Sequence, residues 1–327
     1  MSAGGRWLTG NRFLVLGRAG MDFYADPPGT RVEAATSFLA ALGGSSANIA
    51  AAITRQGGTA SLVTTISDDA VGQFCLHQLG HYGIGREYVR TVGGEARTSL
   101  AVVATRLDDT QTVIYRNGAA DFEMTVEDVE GIDYSAFSAL IATGTALAME
   151  PSRSATFRAF EMARQAGLTL ILDIDYRPYS WASAGEAAEV CGRAAAACDL
   201  IVGNDVEFGF LAGSDDAGLE KARELVRQGA RAAIYKMGEH GAVTITPDGE
   251  RRAGIYATKA LKPTGAGDAF MGGLVSALGA GLDLQEAVLR GSATAAIVVS
   301  RVGCAPAMPT RAELDEFLQT HPGPTGA

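Results

Sequence analysis

The sequence predicts an α/β protein built on a mostly parallel sheet. Short apolar runs alternate with helix-length segments along most of the 327 residues, which is typical of βα units. A β-rich segment, residues 88–116, interrupts this alternation and indicates a small additional sheet. A glycine-rich turn, Gly265-Ala266-Gly267, precedes a helical pattern near the C-terminus and indicates a ligand site at a helix start.

The composition fits one large globular domain. Hydrophobic residues make up 47% of the chain and charged residues 20%, and α/β folds often reach this length as one unit. The net charge of −10 argues against nucleic acid or an anionic membrane as the main partner. The first dozen residues lack a signal-peptide pattern and no run reaches the roughly 18 apolar residues of a membrane span, so we expect a cytoplasmic protein. The four cysteines lack paired short spacing, which favours free thiols over disulfides or zinc.

The first strand is predicted at residues 13–17, an apolar run that ends in glycine. Asp22 follows at the carboxyl end of this strand, where open α/β sheets bind their ligands. We interpret Asp22 as an acceptor for substrate hydroxyls, with a turn-forming aspartate as the alternative.

The first helix opens at a second glycine-rich stretch. Gly43 and Gly44 precede it, and paired glycines allow a ligand to approach the backbone closely. Asn48 lies one turn into the helix, with an amide that both donates and accepts hydrogen bonds. This arrangement suits a polyol.

The β-rich segment contains two alternating runs, residues 99–104 and 112–115, separated by the polar turn Asp108-Asp109. A hairpin inserted between βα units is in position to cover a site as a lid. Arg97 and Arg116 flank it. Because a planar guanidinium matches a carboxylate, both are candidates for binding an acidic substrate, and exposed edge arginines are the alternative.

Beyond residue 121 strands and helices alternate again, with a strand predicted at 168–173. The stretch Asp173-Ile174-Asp175-Tyr176-Arg177-Pro178 lies at the carboxyl end of that strand. Asn204 and Glu207 follow the next strand and begin a helix. Their side-chain oxygens suit a hydrated Mg²⁺, and a plain helix cap is the alternative.

A further strand, residues 232–236, ends at Lys236 and leads into a turn flanked by Gly238 and Gly241. These glycines let backbone amides approach a nucleotide phosphate, or they form a simple β-turn. Closer to the C-terminus, the small and apolar residues at 301–307 are interpreted as a slot for a purine ring.

The turn at residues 265–267 has the character of an anion cradle. The first N–H groups of a helix have no internal partner and lie at the positive end of its dipole. Asp268, in the first turn, places a carboxylate beside the anion, where it can accept a hydroxyl proton while amides hold phosphoryl oxygens. An ordinary glycine-rich helix start is the alternative.

Together these motifs resemble those of the ribokinase-like, or PfkB, family of sugar kinases. Gly43-Gly44 with Asn48 resembles the N-terminal signature, and Gly265-Ala266-Gly267-Asp268-Ala269-Phe270 resembles the C-terminal one. The intervening landmarks match in order, namely Asn204 with Glu207 and Lys236 with Gly238 and Gly241. The resemblance covers about residues 12–320, essentially the whole chain.

The resemblance implies a three-layer α/β/α sandwich with a mostly parallel central sheet and a small β-sheet lid. It implies a kinase domain at 12–320, a lid formed by parts of about 18–40 and 88–118, and flexible ends at 1–11 and 320–327. The lid of such kinases is often shared across a dimer. We therefore expect a homodimer or higher homo-oligomer.

The implied activity is transfer of the γ-phosphoryl group of ATP, with Mg²⁺, to a primary hydroxyl of a sugar acid. A closer resemblance in four stretches implies 5-dehydro-2-deoxygluconate, from myo-inositol breakdown, as this acid; the stretches are 17–22, 115–122, 173–181 and 261–268. Kinases of 2-keto-3-deoxygluconate or fructose would share every nucleotide-side motif and are the alternatives.

The resemblance also implies a role for each candidate residue. Asp268 would be the base, and the amides of Gly265, Ala266 and Gly267 the anion hole. Substrate hydroxyls would bind Asp22, Gly44 and Asn48, and the candidates for its carboxylate are Arg97, Arg116 and Arg177. The nucleotide phosphates would lie along Asn204, Lys236, Gly238, Gly241 and Gly267, and Glu207 would organise Mg²⁺ through water.

One departure from the family pattern concerns Lys262 and Pro263. Many relatives carry an aspartate and a threonine there, and that aspartate helps to coordinate an activating monovalent cation. We hypothesise that the Lys262 ammonium takes over this charge role and makes the activity insensitive to K⁺.

Two proteins of other classes fit the sequence less well. A catalytically silent sugar- or nucleotide-binding regulator could dispense with the base, so the presence of Asp268 beside its glycines argues against it. A dinucleotide-binding dehydrogenase should carry Gly-x-Gly-x-x-Gly after the first strand, and Gly17-Arg18-Ala19-Gly20 lacks that spacing.

Overall fold

The computed structural model describes residues 6–107 and 110–325, so the turn expected at Asp108-Asp109 lies outside the described residues. The strands are β1 (Arg12–Leu16), β2 (Gly20–Asp26), β3 (Ser37–Gly43), β4 (Thr59–Ser67), β5 (Gly85–Val92), β6 (Ser99–Val103), β7 (Thr112–Tyr115), β8 (Ala139–Thr143), β9 (Thr169–Asp173), β10 (Leu200–Asn204), β11 (Ala232–Lys236), β12 (Ala242–Thr246) and β13 (Gly249–Ala253). The helices are α1 (Ser45–Arg55), α2 (Ala70–His81), α3 (Val126–Glu130), α4 (Ser152–Gln165), α5 (Ala184–Ala196), α6 (Asp205–Ala212), α7 (Gly218–Arg227), α8 (Ala266–Gly279), α9 (Leu284–Val299) and α10 (Arg311–Thr320).

The larger sheet, within the described part of the chain, has nine strands in the order β13-β12-β11-β10-β9-β8-β1-β4-β5. The strands from β11 to β5 are parallel, and β12 and β13 extend one edge antiparallel. The chain proceeds from β1 towards β5 on one side and from β8 towards β11 on the other. The order therefore switches between β1 and β8, and such a switch point opens a crevice at the carboxyl ends of the strands.

The sheet is the middle of three layers, because alternate strand residues enter two separate cores. In β1, Leu14 and Leu16 pack into the core that contains buried residues of α4 to α7. Phe13 and Val15 point the other way and pack with buried residues of α1, α2, α8 and α9. This alternation is the period of two expected for a strand. The predicted three-layer α/β/α sandwich is confirmed.

The smaller sheet has the order β3-β2-β6-β7, with β2 parallel to β6 and the other pairs antiparallel. Its strands come from the two segments expected to form a lid. Part of the second segment lies elsewhere, because β5 pairs with β4 at the edge of the larger sheet.

The chain ends are in contact with the domain where they are described. Leu8 is 1% exposed, and Thr325 and Ile255 exchange two backbone hydrogen bonds of 2.9 Å. All four cysteines are buried free thiols, as predicted. No helix in the described ranges is long and apolar enough to cross a membrane.

Candidate active site

Helix α8 begins at a turn that only glycine fits. Gly265 is its N-cap with φ 86°, and a Cβ at this position would lie 2.7 Å from the Cys304 Sγ. Among the described residues, the N–H groups of Gly265, Gly267 and Asp268 donate no hydrogen bond, whereas the Ala266 N–H donates to the Pro263 carbonyl at 3.3 Å. The open donors of the predicted cradle are thus those of Gly265 and Gly267, joined by Asp268, while Ala266 is engaged internally.

Asp268 lies in the first turn of α8 and is held by helix α1. The Asn48 Nδ2 donates to the Asp268 Oδ2 at 2.8 Å across 220 residues of sequence. Burial and the negative charge of Asp175 raise the pKa of Asp268 to about 7, although the Asn48 hydrogen bond and the charges of Arg177 and Arg18 oppose this. A carboxylate with this pKa is suited to accepting a proton near neutral pH.

A cavity of about 410 Å³ opens in front of Asp268. Its walls are the carboxyl ends of the strands, the starts of α1 and α8, and the inner face of the smaller sheet, which contributes Ala101, Val103, Thr112 and Ile114. The structure brings together in the lining of this cavity five of the residues that were predicted to bind the substrate, namely Asp22, Gly44, Asn48, Arg116 and Arg177.

Several buried polar atoms on this wall lack a hydrogen-bond partner within the described part of the chain. They include the Asp22 Oδ1, the Asn48 Oδ1 and the Arg116 Nη1. Buried polar groups are normally paired, because an unpaired one retains its full desolvation cost. Two acceptors and one cationic donor on the same wall therefore match a ligand that carries hydroxyls and an anionic group.

Only one of the two carboxylate oxygens of Asp22 has a hydrogen-bond partner among the described residues. Its Oδ2 accepts from the Tyr24 hydroxyl at 2.9 Å, and the Tyr24 oxygen in turn accepts from the Cys304 N–H at 3.0 Å. Burial raises the pKa of Asp22 above its ordinary value, against the opposing charges of Arg18 and Lys262.

The three arginines predicted to meet a carboxylate do not share one location. Arg116 and Arg177 line the cavity. Arg97, contrary to the prediction, does not line the cavity. Its side chain is 61% exposed, donates hydrogen bonds to the carbonyls of Gly94 and Ala96, and lies 3.7 Å from the Asp69 carboxylate.

Sequence reasoning gave no role to several polar residues that line the cavity, among them Arg18, Asp173, Asp175 and Tyr179. Burial and the nearby carboxylates raise the pKa of Asp173 well above its ordinary value. Burial alone would raise the pKa of Asp175 too, but the charges of Arg177, Arg18 and Arg116 lower it. The available signal was position, since Arg18, Asp173 and Asp175 lie at or within two residues of the carboxyl ends of β1 and β9.

A second cavity, of about 640 Å³, lies on the other side of the α8 start. Lys236, Gly238 and Gly241 line it, and α9 supplies an apolar wall that includes Val288, Ala295, Ala296 and Val299. The Lys236 Nζ lies 3.6 Å from the position of a Cβ on Gly267. The two cavities therefore meet at the helix start, where Asn204, Lys236, Pro263 and Gly267 line both.

The second cavity is not lined by residues 301–307, which were predicted to form a slot for a purine ring. Ala305 and Ala307 are buried in the protein interior, and Cys304 lines the first cavity instead of the second. The apolar wall of the second cavity comes from α9.

Asn204 and Glu207 form a helix cap that also faces the cavity. Each side chain accepts the backbone N–H of the other at 2.8 Å, which is a capping box at the start of α6. Burial raises the pKa of Glu207, although Lys236 opposes this. The two interpretations of this pair are compatible, since Glu207 caps the helix and lines the first cavity. No three His, Cys, Asp or Glu side chains of the described residues converge as a metal cluster.

Lys262 is buried directly beneath the turn that leads into α8. It is 1% exposed, and its ammonium donates to the Thr264 carbonyl. Burial lowers its pKa, while Cys304, Asp268 and Asp22 act in the opposite direction.

Solved structures of kinases share this architecture. A fructokinase from Vibrio cholerae O395, solved with fructose, ADP and calcium ion bound, is 25% identical; it covers 94% of this chain and 99% of its own, with a TM-score of 0.83. A putative ribokinase II from E. coli, solved in complex with ATP and Mg²⁺, is 18% identical and covers 95% and 100% of the two chains, with a TM-score of 0.83. The second likeness shows the fold alone.

A curated relative is closer in sequence than either structure. The 5-dehydro-2-deoxygluconokinase of Photobacterium profundum is 38% identical over 315 residues, which cover 94% of each chain. The family model described as pfkB family carbohydrate kinase matches residues 11–311. A match of this length, with such a relative beside it, establishes that the chain belongs to the pfkB family of carbohydrate kinases.

Proposed function

We propose that the enzyme transfers the γ-phosphoryl group of ATP to the terminal primary hydroxyl of 5-dehydro-2-deoxy-D-gluconate, a step of myo-inositol degradation. The observation that carries this proposal is the set of unpaired atoms on the first cavity. The Asp22 Oδ1 and Asn48 Oδ1 suit substrate hydroxyls, and the cationic Arg116 Nη1 suits an anionic group. The name of the Photobacterium relative supports the same sugar acid.

The reaction centre is the start of α8. Asp268 accepts the proton of the attacking hydroxyl, the hydroxyl oxygen bonds to the γ-phosphorus, and the bond from that phosphorus to the bridging oxygen of ADP breaks. The free N–H groups of Gly265 and Gly267 hold the transferred phosphoryl oxygens. The Ala266 N–H can bind a phosphoryl oxygen only if its hydrogen bond to the Pro263 carbonyl breaks.

The nucleotide lies in the second cavity. Its phosphates extend along Lys236, Gly238 and Gly241 to the helix start, and its base packs on the apolar wall of α9. Asn204 lies where the two cavities meet, beside the phosphates.

The donor set at this junction fits a hydrated Mg²⁺. Glu207 is a buried carboxylate on the cavity wall, and this metal prefers oxygen ligands and keeps several of its waters. Glu207 would hold those waters while its Oε2 keeps the cap of α6. The ion supplies positive charge against the phosphate oxygens.

The substrate side is closed by the smaller sheet. Ala101, Val103, Thr112 and Ile114 line the cavity from the inner face of this sheet, beside Asp22. This sheet acts as a lid that excludes water from the reacting phosphoryl group.

The test is an ADP-release assay on purified protein with Mg·ATP, in which three acceptors are compared. The expected result is a clear preference in kcat/KM for 5-dehydro-2-deoxygluconate over 2-keto-3-deoxygluconate and fructose. Preference for either of the others keeps the kinase mechanism and overturns the acceptor. No ADP release with any acceptor overturns the proposal in favour of a non-catalytic binding protein.

A further inference from the structure

The three arginines of the first cavity differ in how their charge is compensated. Arg116 forms a buried ion pair with Asp121 and also donates to the Thr145 carbonyl at 3.0 Å. Arg177 forms an ion pair with Asp175, with 2.6 Å between the Nη2 and the Oδ1. Arg18 has no ion pair with any carboxylate of the described residues.

Arg18 is nevertheless enclosed by protein. The residue is 8% exposed and lies just after β1 at the carboxyl edge of the sheet. Its Nη1 donates to the Ser99 Oγ on β6 at 2.9 Å. Gly20 makes room for it, because a Cβ there would lie 2.9 Å from the same Nη1. The guanidinium is therefore positioned by a neutral hydroxyl and by the shape of the backbone.

Most N–H donors of the Arg18 guanidinium have no hydrogen-bond partner among the described residues, and its one partner is neutral. The guanidinium carries five N–H donors and a full charge, and burying such a charge is costly unless it is paired. Arg18 lines the cavity, so an acceptor there can reach its remaining donors. Asp22, Asp175 and Asp268 sense its charge at longer range, since it opposes the rise of the pKa of Asp22 and Asp268 and lowers that of Asp175.

We propose that Arg18 binds the carboxylate of the acceptor and so selects sugar acids over neutral sugars, an inference that rests on the proposed function. The unpaired Arg116 Nη1 supplies a further donor on the same wall. Arg177, which is already neutralised by Asp175, contributes less to this recognition.

The competing role for Arg18 is purely electrostatic. Its charge could serve only to keep Asp22 and Asp268 ionised. In that case its removal would lower kcat for every acceptor and would leave the preference between acidic and neutral ligands unchanged. The preference, measured as a ratio, separates the two roles.

The experiment compares wild-type enzyme with Arg18→Met, using Arg97→Met as the matched control because Arg97 lies outside the cavity. D-Gluconate and D-glucitol, which differ at the carboxylate carbon, are measured as competitive inhibitors of ADP release, together with the KM for 5-dehydro-2-deoxygluconate. We expect Arg18→Met to raise this KM and the inhibition constant of gluconate by about 10- to 100-fold, the loss of a charge-assisted hydrogen bond. The constant of glucitol should change by less than about 3-fold, and Arg97→Met should behave as wild type.

Each failure has a separate meaning. Wild-type enzyme without a preference for gluconate over glucitol would overturn the proposed sugar-acid substrate. A wild-type preference that persists in Arg18→Met would overturn the role of Arg18 and leave the proposed function standing. Thermal unfolding of each variant establishes that it is folded, and Ser99→Ala, which removes only the neutral partner, should raise the KM for the acid several-fold while kcat is retained.

Discussion

Asp268 is the residue whose protonation state controls the proposed reaction. Its pKa is raised to about 7 by burial and by Asp175. The base is active when deprotonated, so kcat should increase as the pH rises through about 7 and then reach a plateau. A kcat that does not vary across this range would contradict the assignment.

Replacement of the same carboxylate gives a sharper test. Asp268→Asn should lower kcat by about 10²- to 10⁴-fold, because the amide accepts no proton from the acceptor hydroxyl. ATP binding, measured by calorimetry, should be largely retained, since the second cavity is built from other residues. Asp216→Asn on the exposed surface is the matched control and should keep wild-type turnover.

Lys262 leads to an expectation about salt. An ammonium already lies against the Thr264 carbonyl beneath the α8 turn, so we expect no activation by K⁺. The rate of ADP release in Na⁺-free Tris buffer should change by less than about 2-fold when KCl replaces choline chloride at equal ionic strength. A several-fold increase would show that a monovalent cation is needed in spite of the lysine.

At the scale of elements, the sequence correctly predicted the strands and helices whose bounds depend on local patterns. Strand β11 was expected at residues 232–236 and is observed at Ala232–Lys236, because a short apolar run that ends in a glycine-flanked turn is a local signal. Strands β2 and β3 were not recognised, since their burial depends on pairing across the smaller sheet. The position of Arg18 just after β1 was visible in the sequence, but its lack of an ion pair was not, because that depends on its three-dimensional neighbours.

The start of α8 offers a prediction at this scale. Gly265→Ala should destabilise the fold by about 1–2 kcal/mol through its left-handed backbone, with an added cost from contact with the Cys304 Sγ. It should also lower kcat, because the N–H donors that we propose to hold the phosphoryl group would shift. Chemical denaturation and steady-state kinetics measure the two effects.

The matched control for this variant is Gly57→Ala. Gly57 also has a left-handed φ, of 84°, but no atom lies within 4 Å of its Cβ position. We expect Gly57→Ala to lower the free energy of unfolding by a similar amount, because its backbone is equally left-handed, and to leave kcat unchanged. Equal kinetics in the two variants would mean that the α8 turn tolerates a side chain and that its amides are not critical.

At the scale of the whole molecule, the outer face of the smaller sheet is apolar. Asp22, Ala101 and Ile114 share the inner face, and alternation places Phe23, Val102 and Val113 in one cross-strand row on the opposite face. Val113 is 43% exposed and Tyr115, from the adjacent row, is 60% exposed. Such a face is typical of a protein interface, and we propose that a second copy of the chain covers it.

Val113→Lys should therefore shift the protein from the proposed dimer to a monomer, because it places a charge on an exposed residue of the edge strand of this face. Sedimentation velocity over a range of concentrations measures the shift, and Met149→Lys, at an exposed residue outside the smaller sheet, controls for the added charge. The neighbours Thr112 and Ile114 line the substrate cavity, so the monomer should also show a raised KM for the sugar acid and a nearly unchanged KM for ATP. A wild-type protein that sediments as a monomer at all concentrations would contradict the interface, and the lid would then have to be ordered by the single chain.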